Sequence, residues 1–200
     1  MNFTLPFFLF VLILSSCANI VAPIGGDKDI SSPLLLSINS KVKTKTPDEK
    51  IISFKFDEFI VLNNWEENFY ISPPIKKQIQ KKINGKELFL TIKDTLAEKT
   101  TYNLVLNSSI KDLNEGNILD TLNYTFSTSD VFDTLTLSGK LQDAYTLESI
   151  KNAWIMLFTE SRYDSVIFKE NPNYIAKTDE NGNFNFPNLD NKNYKAVALT

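Results

Sequence analysis

Ile79-Gln80-Lys81-Lys82-Ile83-Asn84-Gly85-Lys86-Glu87-Leu88-Phe89-Leu90-Thr91-Ile92 decides the class of fold. Ile75, Ile79 and Ile83 fall four apart, a spacing a helix could use, but Pro73-Pro74 stands before them and Asn84-Gly85 after. Asn-Gly between two apolar-rich runs marks a hairpin, because both central residues of its tight turn need positive φ, which Asn and Gly tolerate. Strands are therefore predicted at about 75–83 and 87–93.

The same pattern extends outward on both sides. Ile51-Ile52-Ser53-Phe54-Lys55-Phe56 alternates, so that Ile52, Phe54 and Phe56 share one face and Ser53 and Lys55 the other. Thr101–Asn107 and Leu122–Thr128 read as two further strands, with Asp112-Leu113-Asn114-Glu115-Gly116-Asn117 as the turn between them. No segment carries a capped helix, so the expected class is all-β, with short strands between regularly spaced turn signals, as in a sandwich. Beyond an acidic link expected to be flexible, Ser129-Asp130-Val131-Phe132-Asp133, a second module begins near Leu135. Its predicted strands are Leu135–Leu141, the buried Ala153–Phe158, a run fed by the turn Thr178–Asn183, and residues 193–199. The chain stops at Thr200, in or just after that last strand, so this module is expected to be incomplete and little should cover its final edge.

At the other end, Leu5–Leu14 is an apolar run broken only by Pro6, far shorter than the ~20 residues of a spanning helix. It reads as a signal-peptide core. Directly behind it comes Leu14-Ser15-Ser16-Cys17, holding the only cysteine of the chain, and this resembles a bacterial lipobox. The resemblance implies removal of residues 1–16 and a diacylglyceryl thioether on Cys17, an anchor made durable by two or three acyl chains. One departure is that Met1-Asn2-Phe3-Thr4 carries no Lys or Arg. Residues 17–31, with Pro23, Gly25, Gly26 and Asp27-Lys28-Asp29, have the composition of a tether.

Composition narrows the function classes. The 200 residues hold 21 Lys+Arg, 24 Asp+Glu, no histidine and one cysteine, for a formal charge of -3. Most proton shuttles and transition-metal sites are built from His and Cys, so the expectation is no enzyme, no metal and no cofactor. Interspersed charge gives no cationic footprint, and nucleic acid is excluded as a partner. With Cys17 spent on lipid, no disulfide can form within the mature chain.

Phe56-Asp57-Glu58-Phe59-Ile60, Ile71-Ser72-Pro73-Pro74, Leu96–Thr101 with Tyr102, Asp112 with Gly116-Asn117, and Phe126-Ser127-Thr128 together resemble the bacterial Ig-like domain of S-layer and surface lipoproteins. That resemblance covers residues 32–129 and implies a sandwich of about seven strands. Gly25-Gly26-Asp27-Lys28-Asp29 is similar to the start of a group of lipoproteins carrying this domain. Over residues 134–200, Gly139, Thr178-Asp179-Glu180-Asn181-Gly182-Asn183-Phe184 and Tyr194–Ala198 resemble the carboxypeptidase-regulatory-like, transthyretin-type sandwich, a non-catalytic accessory in its family.

Several constellations invite chemistry, each beside a plainer explanation. Asp179–Asn183 and the group Asp112, Asn114, Glu115 and Asn117 could gather oxygens around Ca²⁺, but the former has Gly182 fourth and Asp190 twelfth where an EF-hand wants Gly sixth and Glu twelfth, and turns use the same residues. Ser108-Ser109-Ile110-Lys111 matches Ser-x-x-Lys without its partner motifs and at a strand end. Asp57-Glu58 and Glu66-Glu67 are adjacent acids that would point to opposite strand faces, so neither forms a glycosidase pair. Trp65, Phe69 and Tyr70 are the candidates for binding a glycan or peptide, although a loop aromatic closing the core is the favoured alternative. Asp94-Thr95-Leu96, Asp120-Thr121-Leu122, Asp133-Thr134-Leu135 and Asp164-Ser165-Val166 resemble an O-glycosylation sequon of exported proteins, with Thr95, Thr121, Thr134 and Ser165 as acceptors.

The function expected is that of a lipid-anchored, non-enzymatic cell-envelope protein, at the outer membrane, whose modules act as a spacer or an interaction surface for an envelope protein or glycan. The alternatives are a glycan- or peptide-binding surface lipoprotein, and the accessory N-terminal part of a longer enzyme.

Overall fold

The structure, a computed structural model, describes residues 26–41, 50–159 and 165–200; the signal peptide, Cys17 and Asp164 lie outside them. The first module holds β1 (Leu35–Ser40), β2 (Lys50–Phe56), β3 (Ile60–Leu62), α1 (Trp65–Asn68), β4 (Tyr70–Ser72), β5 (Gln80–Asn84), β6 (Glu87–Ile92), β7 (Thr101–Val105), β8 (Ile110–Asp112) and β9 (Asn123–Ser127). The second holds β10 (Leu135–Lys140), β11 (Trp154–Thr159), α2 (Val166–Lys169), β12 (Tyr174–Lys177), β13 (Asn183–Leu189) and β14 (Tyr194–Leu199).

The hairpin forms, with its turn one residue later than expected. Asn84 pairs with Glu87, leaving Gly85-Lys86 as the loop. Gly85 has φ +63 while neither Asn84 nor Lys86 is left-handed, the φ pattern of a II′ turn, which needs Gly only at its first central position. Residues 75–79 do not extend β5. Pro73 and Pro74 offer no amides, and past Ile75 the Asp94 carboxylate accepts from Lys76 N at 2.6 Å and Lys77 N at 2.9 Å, which keeps these amides out of the β5 ladder.

In the first module the sheet β1-β2-β6-β5 faces β4-β7-β9 and the pair β3-β8. All strand pairs are antiparallel. The alternation read in β2 is realised: Ile52, Phe54 and Phe56 are fully buried, opposite Leu90 and Leu88 of β6. Phe54 meets Tyr124 of the other layer edge to face at 5.9 Å, and Leu104, Leu106, Ile110 and Phe126 complete one core. The turn Asp112–Asn117 does not join β7 to β9 directly, because β8 intervenes and pairs with β3.

The second module sets the pair β10-β13 over β12-β11-β14, around Ile155, Leu157, Tyr174, Ala176, Phe186 and Leu189. Residues 194–199 form the expected strand, with β11 as the only partner of β14 among the described residues. Two single-turn helices depart from the strands-only expectation; α1 starts where Asn64 adopts a left-handed conformation, φ 39 and ψ 46.

Candidate functional site

Alternation predicts that an outer sandwich strand shows polar residues to water on one face. β7 breaks that rule: Thr101 and Asn103 are as buried as Tyr102 and Leu104. The cover is the second module. Ser72 Oγ, one strand over, accepts from Ile175 N at 3.1 Å, and Asn103 Nδ2 donates to Pro187 O at 3.3 Å while its Oδ1 accepts from Thr125 Oγ1 at 2.7 Å. Lys177 Nζ donates to Glu67 O at 3.0 Å and sits 5.6 Å from the centre of the Trp154 ring. Tyr70 meets Trp154 across the seam, and burial raises its phenol pKa, opposed by the Lys177 amide.

The link expected to be flexible is fastened into this seam. Ser127 Oγ and Ser129 Oγ both donate to Val131 O, at 2.9 and 2.7 Å. Asp133 N donates to Thr101 Oγ1 at 2.8 Å, Thr101 N donates back to Asp133 Oδ2 at 3.3 Å, and Asn188 Nδ2 donates to Asp133 O at 2.8 Å. Among the described residues every buried side-chain N or O has a hydrogen-bond partner, as a polar seam requires, since an unpaired buried polar group costs about 1–3 kcal/mol.

The three aromatic candidates do not form one exposed patch. Trp65 is only 7% exposed, stacks on Phe69 at 4.2 Å, and is capped by Lys81, whose Nζ lies 5.2 Å from the ring centre and pairs with Glu66. Tyr70 turns to the seam instead. The cause is local: the left-handed Asn64 starts α1 so that Trp65 swings into the core.

Both candidate calcium loops spend their carboxylates on their own amides. Asp112 accepts from Glu115 N, Gly116 N and Asn117 N at 2.6 to 2.8 Å. Burial opposes its ionisation, but these amides together outweigh it and hold its pKa below the usual value. Asp179 Oδ1 accepts from Asn181 N and Asn183 N, both at 2.8 Å, and the Asn183 amide leads in lowering its pKa. No group of three or more potential metal ligands occurs among the described residues. Ser109 Oγ donates to Leu106 O at 2.6 Å within its own turn, and Ser108, with φ +56, offers its carbonyl to Asn63 and Asn68. Glu58 titrates above the usual value, from burial first and then from the charges of Asp112, Asp57, Asp29 and Glu115.

Of the Asp-Thr motifs, Thr95, Thr121 and Thr134 are exposed and Ser165 is half-buried. The aspartates of two are already engaged, Asp94 with Lys76, Lys77 and Thr95 amides and Asp133 with Thr101. The seam residues Ser72, Thr101 and Asn103 are what sequence inspection missed, because a period of two identifies one buried face and says nothing of a cover on the other.

No curated protein matches the chain at a significant level. Residues 30–128 match the family model of the bacterial Ig-like domain, and the first sandwich, β1 to β9, is an Ig-like β-sandwich.

Proposed function

We propose that the chain is a lipid-anchored, non-enzymatic protein of the cell envelope, at the outer membrane, whose two β modules work as one stiff interaction unit. The observation that carries this is the seam: polar groups on the outer face of β4-β7-β9 are buried and bonded to the second module and its link. A jointed spacer would leave those groups to water. Bacterial Ig-like domains are in general non-catalytic, which supports a holding or binding role. Leu14-Ser15-Ser16-Cys17 supports the anchor, and the Gly139 and Gly182 motifs support an accessory, carboxypeptidase-regulatory-like second module. The exposed Thr95, Thr121 and Thr134 are available as glycan acceptors, which intact mass in cells of the native type would reveal.

Metabolic palmitate labelling with membrane fractionation tests the anchor. Wild type should carry label and sediment with membranes, and Cys17→Ala should lose both. Label and membrane retention in Cys17→Ala would overturn it.

A further inference from the structure

Chain entry and exit lie at opposite ends of the first sandwich. At one end, Asn117 Nδ2 donates to Asp29 O at 3.2 Å, Leu34 N donates to Asp57 Oδ1 at 2.8 Å, and Leu113 N donates to Phe59 O at 2.9 Å. These bonds gather residues 29–34, the 57–59 loop and the 112–117 loop. The chain leaves at the other end, where Thr128 N donates to Thr100 O at 3.0 Å. The receiving end displays Ile30, Leu34, Phe59 and Leu113 at 86%, 62%, 52% and 56% exposure. Single exposed apolar residues need no explanation. Four on adjoining segments, beside the point where the tether arrives, do.

We propose that this end of the first sandwich rests on the lipid surface that anchors the chain, and that the surface it fits is zwitterionic; this builds on the anchor reading above. Eight residues lie between Cys17 and Gly26, so nine Cα-to-Cα steps join them. Fully extended, that stretch reaches at most about 30 Å, and a seven-residue strand is about 23 Å long. The anchor therefore holds this end within about 30 Å of the bilayer, and tethering raises its effective concentration enough for weak apolar contacts to persist. Charge selects the lipid. Asp29, Asp57, Glu58 and Glu115 crowd this end, against Lys28, Lys111 and Lys86, the last bonded to Asp57 O and lying 5.7 Å from the Phe59 ring centre. That surplus of carboxylates is repelled by anionic headgroups and not by zwitterionic ones.

The test attaches the chain from Cys17 onward, which contains every described residue, through its only thiol to a maleimide-bearing lipid in phosphatidylcholine vesicles, so native lipidation is not required. Leu113→Trp reports this end, and Val131→Trp, in the exposed link at the opposite end, is the control. With acyl chains brominated, the emission that Leu113→Trp adds to that of the two native tryptophans should fall about twofold, and that added by Val131→Trp should not change. Adding Phe59→Ser, or replacing part of the lipid with phosphatidylglycerol, should remove the quenching. Equal quenching at both ends, no quenching at either, or quenching that survives phosphatidylglycerol would overturn the proposal. Palmitate label on the native chain without quenching here removes the apposition alone, and quenching here without native label removes the anchor alone.

Discussion

The rings of Tyr70 and Trp154 meet edge to face across the seam between the modules, 5.2 Å between centroids at 79°. Their side chains belong to β4 and β11, so the contact fixes one module against the other. Truncating Trp154 to Ala should destabilise the chain by about 2 kcal/mol, and a double-mutant cycle with Tyr70→Ala should return about 0.5–1.5 kcal/mol of coupling. Denaturant unfolding measures both. Strict additivity would mean the rings touch without supporting each other.

Asp112 organises its loop through three amides at once. Asp112→Ala should loosen Leu113–Asn117 and speed proteolytic cleavage there, while Asp112→Asn, which keeps an acceptor oxygen, should do so less. Because the folded carboxyl titrates below its unfolded value of 3.8, its contribution is present above that pH and lost as pH falls through the folded pKa. Acid should therefore accelerate cleavage in wild type, and that acid dependence should shrink in Asp112→Asn.

How far these features could be seen in the sequence depended on whether one segment determined them. Ile52, Phe54 and Phe56 announced their face because a period of two is a local property of β2. The Asn84-Gly85 hairpin was also legible, but its turn moved by one since the pairing of Asn84 with Glu87 depends on the partner strand. In β7 the same period of two sets Thr101 and Asn103 on the face opposite Tyr102 and Leu104. Their cover comes from Pro187 and Asp133, far along the chain, and no periodicity within β7 encodes it. Trp65 closes the core, the alternative favoured for a loop aromatic, but the device that turns it inward, a left-handed Asn64, is not encoded in any local pattern.

Gly139 leaves room for a ring. A Cβ placed there would lie 2.5 Å from Phe184 Cζ and 2.9 Å from Cε1, and Phe184 is its cross-strand partner in β13. Gly139→Ala should cost about 1–3 kcal/mol through overpacking. Shortening the partner should relieve it, so Phe184→Leu should be less damaging in Gly139→Ala than in wild type. If Phe184→Leu costs the same in both backgrounds, the ring does not hold the glycine in place.

Alkali should weaken the second module through Tyr174. Its hydroxyl donates to Asp190 Oδ1 at 3.3 Å and accepts from Asp190 N at 3.4 Å, and its ring meets Tyr194 edge to face at 5.7 Å. Burial raises the phenol most, with the Asp190 amide opposing and the charges of Asp190 and Asp133 adding, so its pKa rises from 10.0 to about 12. A raised folded pKa means the fold favours the protonated phenol. That contribution is complete below the unfolded value near 10 and is lost as pH climbs from there towards 12. Urea unfolding followed by circular dichroism should show the chain weaker near the top of that window than below it, by roughly 1 kcal/mol once solvent screening is allowed for. Tyr174→Phe should remove most of the difference, because a phenyl ring cannot ionise, while giving up the two hydrogen bonds of the hydroxyl. An alkaline loss of the same size in Tyr174→Phe would assign it to other groups, with Tyr70 and Tyr102, both also raised by burial, next to be replaced.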